Sequence, residues 1–451
     1  MQGLFFIFTI VIGIMALYFS LKNNVHMLYF FMSMVLFQNI ILILFCESIS
    51  PTLNTIFSAI KELMLYVALL FCVVRKKKLI ISKENKKELI TILIYMLFLS
   101  KNLLITTASM NSAVLSLRYM LVPVLCIFVG RNLRISKKKV YSLFTYLIAV
   151  SAFLSLFGLL EMFLLGDGFW SKIGYSLYAT KMKGNQAWDL INGVTINFYT
   201  WDLFGIPIRR LVSITADPLA TAFLIYLGAM ILITKVVPVI TKHGRTNANL
   251  LILVLLIGAS IISLSKAIFV FIAITVLACA YYYKWLPKSL LKVGTVVVSL
   301  AVILLLKSYV DNTTTITSSI NHLVGLQNGF ANSGMLGKGL GTAGAYVIML
   351  TGAESSVTES YIGALVYQVG IIGFADFVYF MYIQIKKMLF MYRKYRANMI
   401  VLSLVLIFGL CICMLLSDSA VSIMGTGIYF IIIGITQQEK LYLEEKKETI
   451  L

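Results

Sequence analysis

Glu359-Ser-Tyr-Ile-Gly-Ala-Leu-Val-Tyr-Gln-Val-Gly-Ile-Ile-Gly373 opens a membrane-length apolar run directly after a polar stretch of nearly fifty residues. A carboxylate at the mouth of such a run is costly unless it has a use. At ~3.6 residues per turn, Glu359, Gly363, Val366, Gly370 and Gly373 share one stripe. An acid then heads a small-residue seam against which another helix can pack closely.

The rest of the chain has the same character. Of its 451 residues, 60% are hydrophobic and 12% charged, and the mean hydropathy is +0.95. That composition suits a bilayer rather than water. Apolar runs long enough to cross ~30 Å of hydrocarbon lie near 3–20, 25–46, 55–74, 89–108, 113–130, 140–165, 214–234, 250–265, 267–283, 293–310, 359–383, 397–417 and 420–436. The expectation is an all-α polytopic membrane protein, a single integral domain over 1–451 with about 12–14 transmembrane helices.

A net charge of +20 could suit nucleic acid, but its placement argues against that partner. The cations gather between alternate spans: Arg75 to Lys78, Arg131 to Lys139, Lys235 to Arg245, Lys284 to Lys292, Lys386 to Arg396 and Lys440 to Lys447. The positive-inside rule puts all six clusters in the cytoplasm, which leaves two long inter-span stretches, about 166–213 and 311–358, together outside. Only Lys22 marks the first turn, so the N-terminal end is the least constrained. Cys46, Cys72, Cys126, Cys279, Cys411 and Cys413 sit in or at the ends of apolar runs, which argues against disulfides and metal clusters. Residues 3–20 lack a basic leader and a small-residue cleavage site, so the first span is expected to stay as an anchor.

The stretch 166–213 holds Trp170, Trp188 and Trp201, many amides and Arg209-Arg210. Such aromatic rings suit either a sugar-binding surface or a belt at headgroup level. The stretch 311–358 leads to Gly337-Lys-Gly-Leu-Gly-Thr-Ala-Gly344, which fails the nucleotide fingerprints and is expected to be a flexible loop over a cavity.

Ionisable residues inside or at the ends of spans narrow the chemistry: Lys61, Glu62, Lys101, Arg118, Glu161, Lys266, Lys307 and Glu359, with Asp217 and Asp418 at span ends. Lys61 and Glu62 point about 100° apart on a helix and are expected to find partners on other helices. Lys266, in Ser263-Leu-Ser-Lys-Ala267, occupies an abrupt outer turn between two short runs, as a working cation or a snorkelling one. Arg118 sits within a span entered from outside, where either an internal pair or a bound phosphate would serve it. Arg209-Arg210 lie above a helix that starts near Asp217-Pro218, as anion ligands or as an interfacial anchor. Arg209 or Arg210, Lys266 and Arg118 could hold a departing phosphate, and Glu359 could take the proton of an attacking hydroxyl. The chain has no Asp-x-Asp and no His, Cys and carboxylate cluster with ligand spacing, so neither a divalent metal nor another cofactor is expected.

Glu359-Ser360, nine residues and then Gly370-Ile-Ile-Gly373 resemble the signature of the O-antigen polymerase (Wzy) and O-antigen ligase superfamily. Ligases of that superfamily carry His where this chain has Glu359. Arg210-Leu-Val-Ser-Ile-Thr-Ala-Asp217-Pro218 is similar to its arginine-led approach to a span, and Ser263-Leu-Ser-Lys266-Ala to its Ser/Thr-x-Ser-Arg turn. The resemblance covers about 200–383 and implies a multi-pass glycosyltransferase of the C-type (GT-C) fold in the bacterial cytoplasmic (inner) membrane, active on its extracytoplasmic side. The enzyme would use undecaprenyl-pyrophosphate-linked glycans, without metal, to build O-antigen or capsule. It implies Glu359 as base, Arg210 and Lys266 on the pyrophosphate, and a chain-length regulator and a flippase as candidate partners. Lys266 departs from the usual arginine and loses its bidentate contact. The alternatives are an O-antigen ligase or other cell-envelope glycan transferase, and a polysaccharide flippase or other transporter.

Overall fold

The structure, a computed structural model, describes residues 2–75, 83–182, 190–201, 207–236, 245–284, 317–344 and 360–443. The elements are α1 (Gln2–Lys22), α2 (Val25–Leu44), α3 (Pro51–Arg75), α4 (Lys83–Leu104), α5 (Met110–Asn132) and α6 (Lys137–Leu160). A π-helical turn (Glu161–Leu165), α7 (Gly166–Lys172), α8 (Tyr175–Met182) and the strands β1 (Leu190–Ile191), β2 (Val194–Thr195), β3 (Tyr199–Trp201) and β4 (Pro207–Arg209) follow. The chain continues with α9 (Pro218–Ile233), α10 (Arg245–Ile262), α11 (Lys266–Tyr282), α12 (Thr317–Asn332), α13 (Tyr361–Tyr395), α14 (Asn398–Leu416) and α15 (Gly427–Thr436).

Among the described residues, seven helices are long and apolar enough to cross a membrane, and four more are apolar but shorter. α1 turns Leu4, Ile7, Ile10, Ile14 and Leu17 outward, a face that only lipid or another apolar surface would tolerate. The chain is therefore a membrane-embedded, all-α protein. The expected spans coincide with helices except that residues 293–310 lie outside the described residues, and two are not full apolar spans: the helix over 89–108, α4, is not among those apolar enough to cross, and 420–436 is too short. α15 has ten residues, every one of them buried, and follows a 3₁₀ turn (Asp418–Val421). Non-helical backbone is tolerable there because protein, not lipid, surrounds it.

α15 crosses α5 with the backbones nearly touching. A Cβ added to Gly130 would sit 2.1 Å from the Ile431 carbonyl oxygen, and one added to Gly434 would sit 2.1 Å from that of Ile127. Only glycine allows this crossing.

The described members of the basic clusters lie at one end of the bundle. Arg131 pairs with Glu88 through two contacts of 2.8 Å and also donates to Gln384 at 3.0 Å and to Gln437. Asn398 donates to the Lys235 carbonyl at 3.0 Å, and Gln438 to that of Gly130 at 2.7 Å. The other end carries the turns near residues 45, 105, 263 and 417, together with a layer built from the described residues 161–182, 190–201 and 207–217. In that layer the Asn192-Gly193 turn closes the β1–β2 hairpin, both residues having positive φ as such a turn requires.

Residues 334–344 form a tethered strap, which corrects the expectation of a flexible loop. Gly370 breaks α13 with φ 81° and ψ 171°. In an unbroken helix the N–H groups of Ile371 and Ile372 would donate to Tyr367 and Gln368. Here they donate to Gly334 and Met335 at 3.2 and 3.3 Å. The abandoned Tyr367 and Gln368 carbonyls accept from Lys338 and Gly339 at 3.0 and 3.2 Å. The Gln368 side chain accepts from Gly341 N–H at 2.6 Å and donates to the Ala343 carbonyl at 2.8 Å. Leu340 N–H donates to Asn102 on α4 at 2.9 Å. The stripe read from the sequence stops being helical at Gly370. Its upper part does receive a helix, for a Cβ on Gly363 would lie 2.5 Å from the Gly325 carbonyl oxygen of α12.

Gly370→Ala adds a Cβ that would stand 2.4 Å from both Gly337 N and Met335 O at a left-handed φ, whereas Gly334→Ala, also left-handed, meets no atom within 4 Å. We expect Gly370→Ala to cost about 2–4 kcal/mol and Gly334→Ala about 1 kcal/mol. Thermal unfolding of the two purified variants checks this, and equal midpoints would contradict the inserted strap.

Candidate active site

Alternation along a strand separates the two neighbouring arginines. β4 pairs with β3 so that Arg209 stands opposite Tyr199, and Arg210 N–H extends the pairing to the Phe198 carbonyl at 2.8 Å. Arg209 turns into the outer layer, where its Nη2 meets Glu161 Oε1 at 2.5 Å and its Nε meets Asp167 Oδ1 at 2.7 Å. Its guanidinium also covers the Phe198 ring at 4.9 Å. Trp170 completes this cluster. It is fully buried, donates to Glu161 Oε1 at 2.6 Å, and packs edge-on to Phe198 and Tyr175. Trp170 therefore belongs to a core and not to a sugar platform or a headgroup belt. Trp188 lies outside the described residues.

Arg210 turns the opposite way. Its Nε donates to the Ser263 carbonyl at 3.1 Å and its Nη1 to the Asn197 carbonyl at 3.4 Å. Both acceptors are neutral. Burial pushes the guanidinium down to about 10, partly opposed by Asp217, so it stays charged at neutral pH. Asp217 is the N-cap of α9 and accepts from Leu219 and Ala220 N–H at 2.9 and 3.1 Å.

Ser263 begins the three-residue turn that joins α10 to α11, and exposed Lys266 is the first residue of α11. The abrupt turn expected between two short apolar helices is thus present. A cation at a helix N-terminus opposes the helix dipole, and an incoming anion relieves that conflict. Leu264 at the apex has φ +51°, and Ser213 and Ala216 below Arg210 have φ +58° and +52°. Non-glycine residues in this region are strained, and such strain concentrates at functional sites.

α14 links this turn to the head of α13. Cys413 Sγ lies 3.7 Å from the Ala267 carbonyl oxygen, and the Leu415 carbonyl accepts from Ser360 Oγ at 2.9 Å. Ser360 caps α13 by accepting from Gly363 N–H at 3.1 Å. Glu359, which precedes it in sequence, lies outside the described residues.

Arg118 has an internal partner. Its Nε and Nη2 both reach the Glu62 carboxylate of α3, the latter at 2.6 Å. Adjacent Lys61 donates instead to Gln38 of α2 at 2.7 Å, so these neighbours do find partners on other helices. The Arg118–Glu62 pair belongs to the same end of the bundle as Arg210. Tyr119 bonds Ser422 and lies within electrostatic reach of Glu62, Asp217 and Asp418. Arg210, Lys266, Arg209 and Arg118 therefore share one end, with Arg209 and Arg118 committed to carboxylates.

Two groups escaped the sequence reading. Gln368 clamps the strap, and Asp376 stands within α13 in electrostatic reach of Tyr95. Both would have surfaced had every amide and acid inside the run after residue 359 been counted as informative. Comparison of the chain with models of known families and with curated proteins finds no match.

Glu161 is 0% exposed, so Arg209→Ala strands a buried carboxylate, with an expected cost of about 3–5 kcal/mol, and adding Glu161→Gln restores part of it. Arg210→Ala gives up bonds to neutral acceptors alone and should cost about 1 kcal/mol. Unfolding midpoints of the three variants test the division; if Arg210→Ala proves the more damaging, the roles are reversed.

Proposed function

We propose that this protein is a glycosyltransferase that polymerises lipid-linked repeat units of a bacterial surface polysaccharide, O-antigen or capsule. The observation that carries the proposal is the 3.1 Å bond from Arg210 Nε to the Ser263 carbonyl. It ties the loop before α9 to the turn carrying Lys266, so two cations more than fifty residues apart in sequence stand over one end of the bundle. Among the described residues, that end holds none of the basic clusters. By the positive-inside rule it faces away from the cytoplasm, where lipid-linked glycans are assembled into polymer. A GT-C-like fold of 12–14 spans is part of this proposal, and the seven membrane-length helices among the described residues support its all-α, membrane-embedded character.

In the proposed reaction a hydroxyl of the acceptor sugar attacks the anomeric carbon of the donor glycan. The new C–O bond forms as the bond to undecaprenyl pyrophosphate breaks, and the leaving oxygen keeps the electron pair. Arg210 and Lys266 stabilise that growing charge at fixed positions, where little reorganisation is needed. Glu359 receives the hydroxyl proton, and attack opposite the leaving group inverts the anomeric centre. Arg209 and Arg118, each neutralised by carboxylates, act by holding the surrounding helices rather than by meeting phosphate. An O-antigen ligase or another envelope glycan transferase would use the same groups on a different acceptor. A transporter would use a broken helix such as α13 to bind its cargo. The four backbone groups freed at Gly370 bond to the strap instead, which speaks against that use.

Removing the gene should leave a single repeat unit where a ladder of chains stood on a glycan gel, and Glu359→Gln should do the same while the protein still folds and inserts. Lys266→Arg should retain far more polymer than Lys266→Ala, since both Lys and Arg carry the charge. Unchanged chain length in Glu359→Gln, or equal output from the two Lys266 variants, would remove those residues from the reaction. A chelator should leave the ladder intact, and its loss would reveal a catalytic metal.

A further inference from the structure

At the basic end, opposite Arg210 and Lys266, the structure holds a cavity of about 540 Å³. Lys137 at the start of α6, Lys235 after α9 and Arg396 after α13 line it, with Tyr141, Tyr395 and Tyr442. Among the described residues no carboxylate lines it. Glu439, close in sequence to Tyr442, pairs with Lys394 at 3.6 Å.

We propose that this cavity is a seat for a phosphate-bearing anion, the headgroup of an anionic phospholipid in the adjoining leaflet. Lys235 and Arg396, each just past the C-terminus of a different helix, line one opening, and Lys137 at the start of α6 lines it from a third side. The opening lies where α6, α9, α13 and α14 leave the apolar layer, which is headgroup depth. Its tyrosines are amphipathic rings suited to that depth. Tyr395 and Tyr442 stack at 4.8 Å and 19°, and Lys137 Nζ stands 5.6 Å from the Tyr141 ring. Basic recesses between helices on this side of a membrane are a recurrent form of anionic-lipid site.

The backbone points the same way. Lys235 and Arg396 both adopt left-handed conformations, φ +51° and +50°, at helix C-termini where glycine or asparagine is the easy choice. A cation there complements the helix dipole, but a lysine in the preceding turn would do so without strain. Both strained residues line the cavity, so the unfavourable backbone sits in its wall.

The test uses the full chain purified in a zwitterionic detergent, with thermal unfolding followed during titration with phosphatidylglycerol, phosphatidylcholine or inorganic phosphate. Phosphatidylglycerol should raise the midpoint by several degrees, and phosphatidylcholine should not. The double variant Lys235→Asn/Arg396→Asn keeps residues that tolerate left-handed φ, so its midpoint without lipid should be unchanged while its apparent affinity for phosphatidylglycerol falls about tenfold or more. Lys138→Asn/Lys139→Asn, which removes two exposed charges beside the cavity, should bind as the parent does. An equal response to phosphatidylcholine, or an equal loss in both double variants, overturns the site. A matching shift with inorganic phosphate assigns the seat to a soluble anion and overturns the lipid as its occupant.

Discussion

Inside hydrocarbon no water is present to accept or donate, so each peptide group must bond within the protein. The break in α13 obeys this rule through an exchange: two N–H groups and two carbonyls leave the helical ladder, and the strap supplies two carbonyls and two N–H groups in return. Because that exchange involves backbone on both sides, it needs close approach, which explains the glycines at 337 and 370. The consequences spread outward. The strap reaches α4 through Leu340 and α5 through contact of Gly341 with Ala113, so it ties α13 to two helices that precede it by more than 200 residues. The head of α13, where Ser360 bonds Leu415, is then held from below by the strap and from the side by α14.

Charge obeys a parallel rule. Lys61 meets Gln38, Glu62 meets Arg118, Glu88 meets Arg131 with two glutamines, and Arg209 meets Glu161 and Asp167. Each finds a partner on another element, and for Glu62, Glu88 and Arg209 that partner also carries the opposite charge, which an ion removed from water needs. Arg210, like Lys61, bonds to neutral groups alone, but it is the one of the two that lies in a loop. Its bonds end on peptide carbonyls, which satisfy N–H groups but carry no opposing charge, and Asp217 is already spent on the start of α9. A guanidinium arranged in that way retains attraction for an anion that arrives from outside.

Hydropathy is a local property, which is why most helices were legible from the sequence to within a few residues. The sequence of α15 predicts a span because composition says apolar and cannot say whether lipid or protein surrounds it. The strap was read as loose because glycine permits both freedom and close packing, and only the distant Gln368 and Asn102 decide between them. The site was legible in part. The paired roles of Arg118 and Arg209 were not, since their carboxylates lie 56 and 48 residues away in sequence. Nor could the differing fates of Arg209 and Arg210 be known before the short β3–β4 ribbon was seen, for that ribbon sends adjacent side chains to opposite faces.

Strain at Ser213, Ala216 and Leu264 survives because the turn below Arg210 is bonded to several helices at once. Ser213 Oγ donates to the Leu154 carbonyl of α6 at 2.8 Å, Asn39 of α2 donates to the Thr215 carbonyl at 2.6 Å, and Thr221 of α9 donates back to Val212. Three helices thus determine six residues of loop. A loop so fixed loses little further entropy when it meets a ligand, and a cation mounted on it need not reorganise as charge develops opposite. Rigidity here comes with unfavourable backbone angles at three positions, which is the kind of fixed mounting the proposed anion site would use.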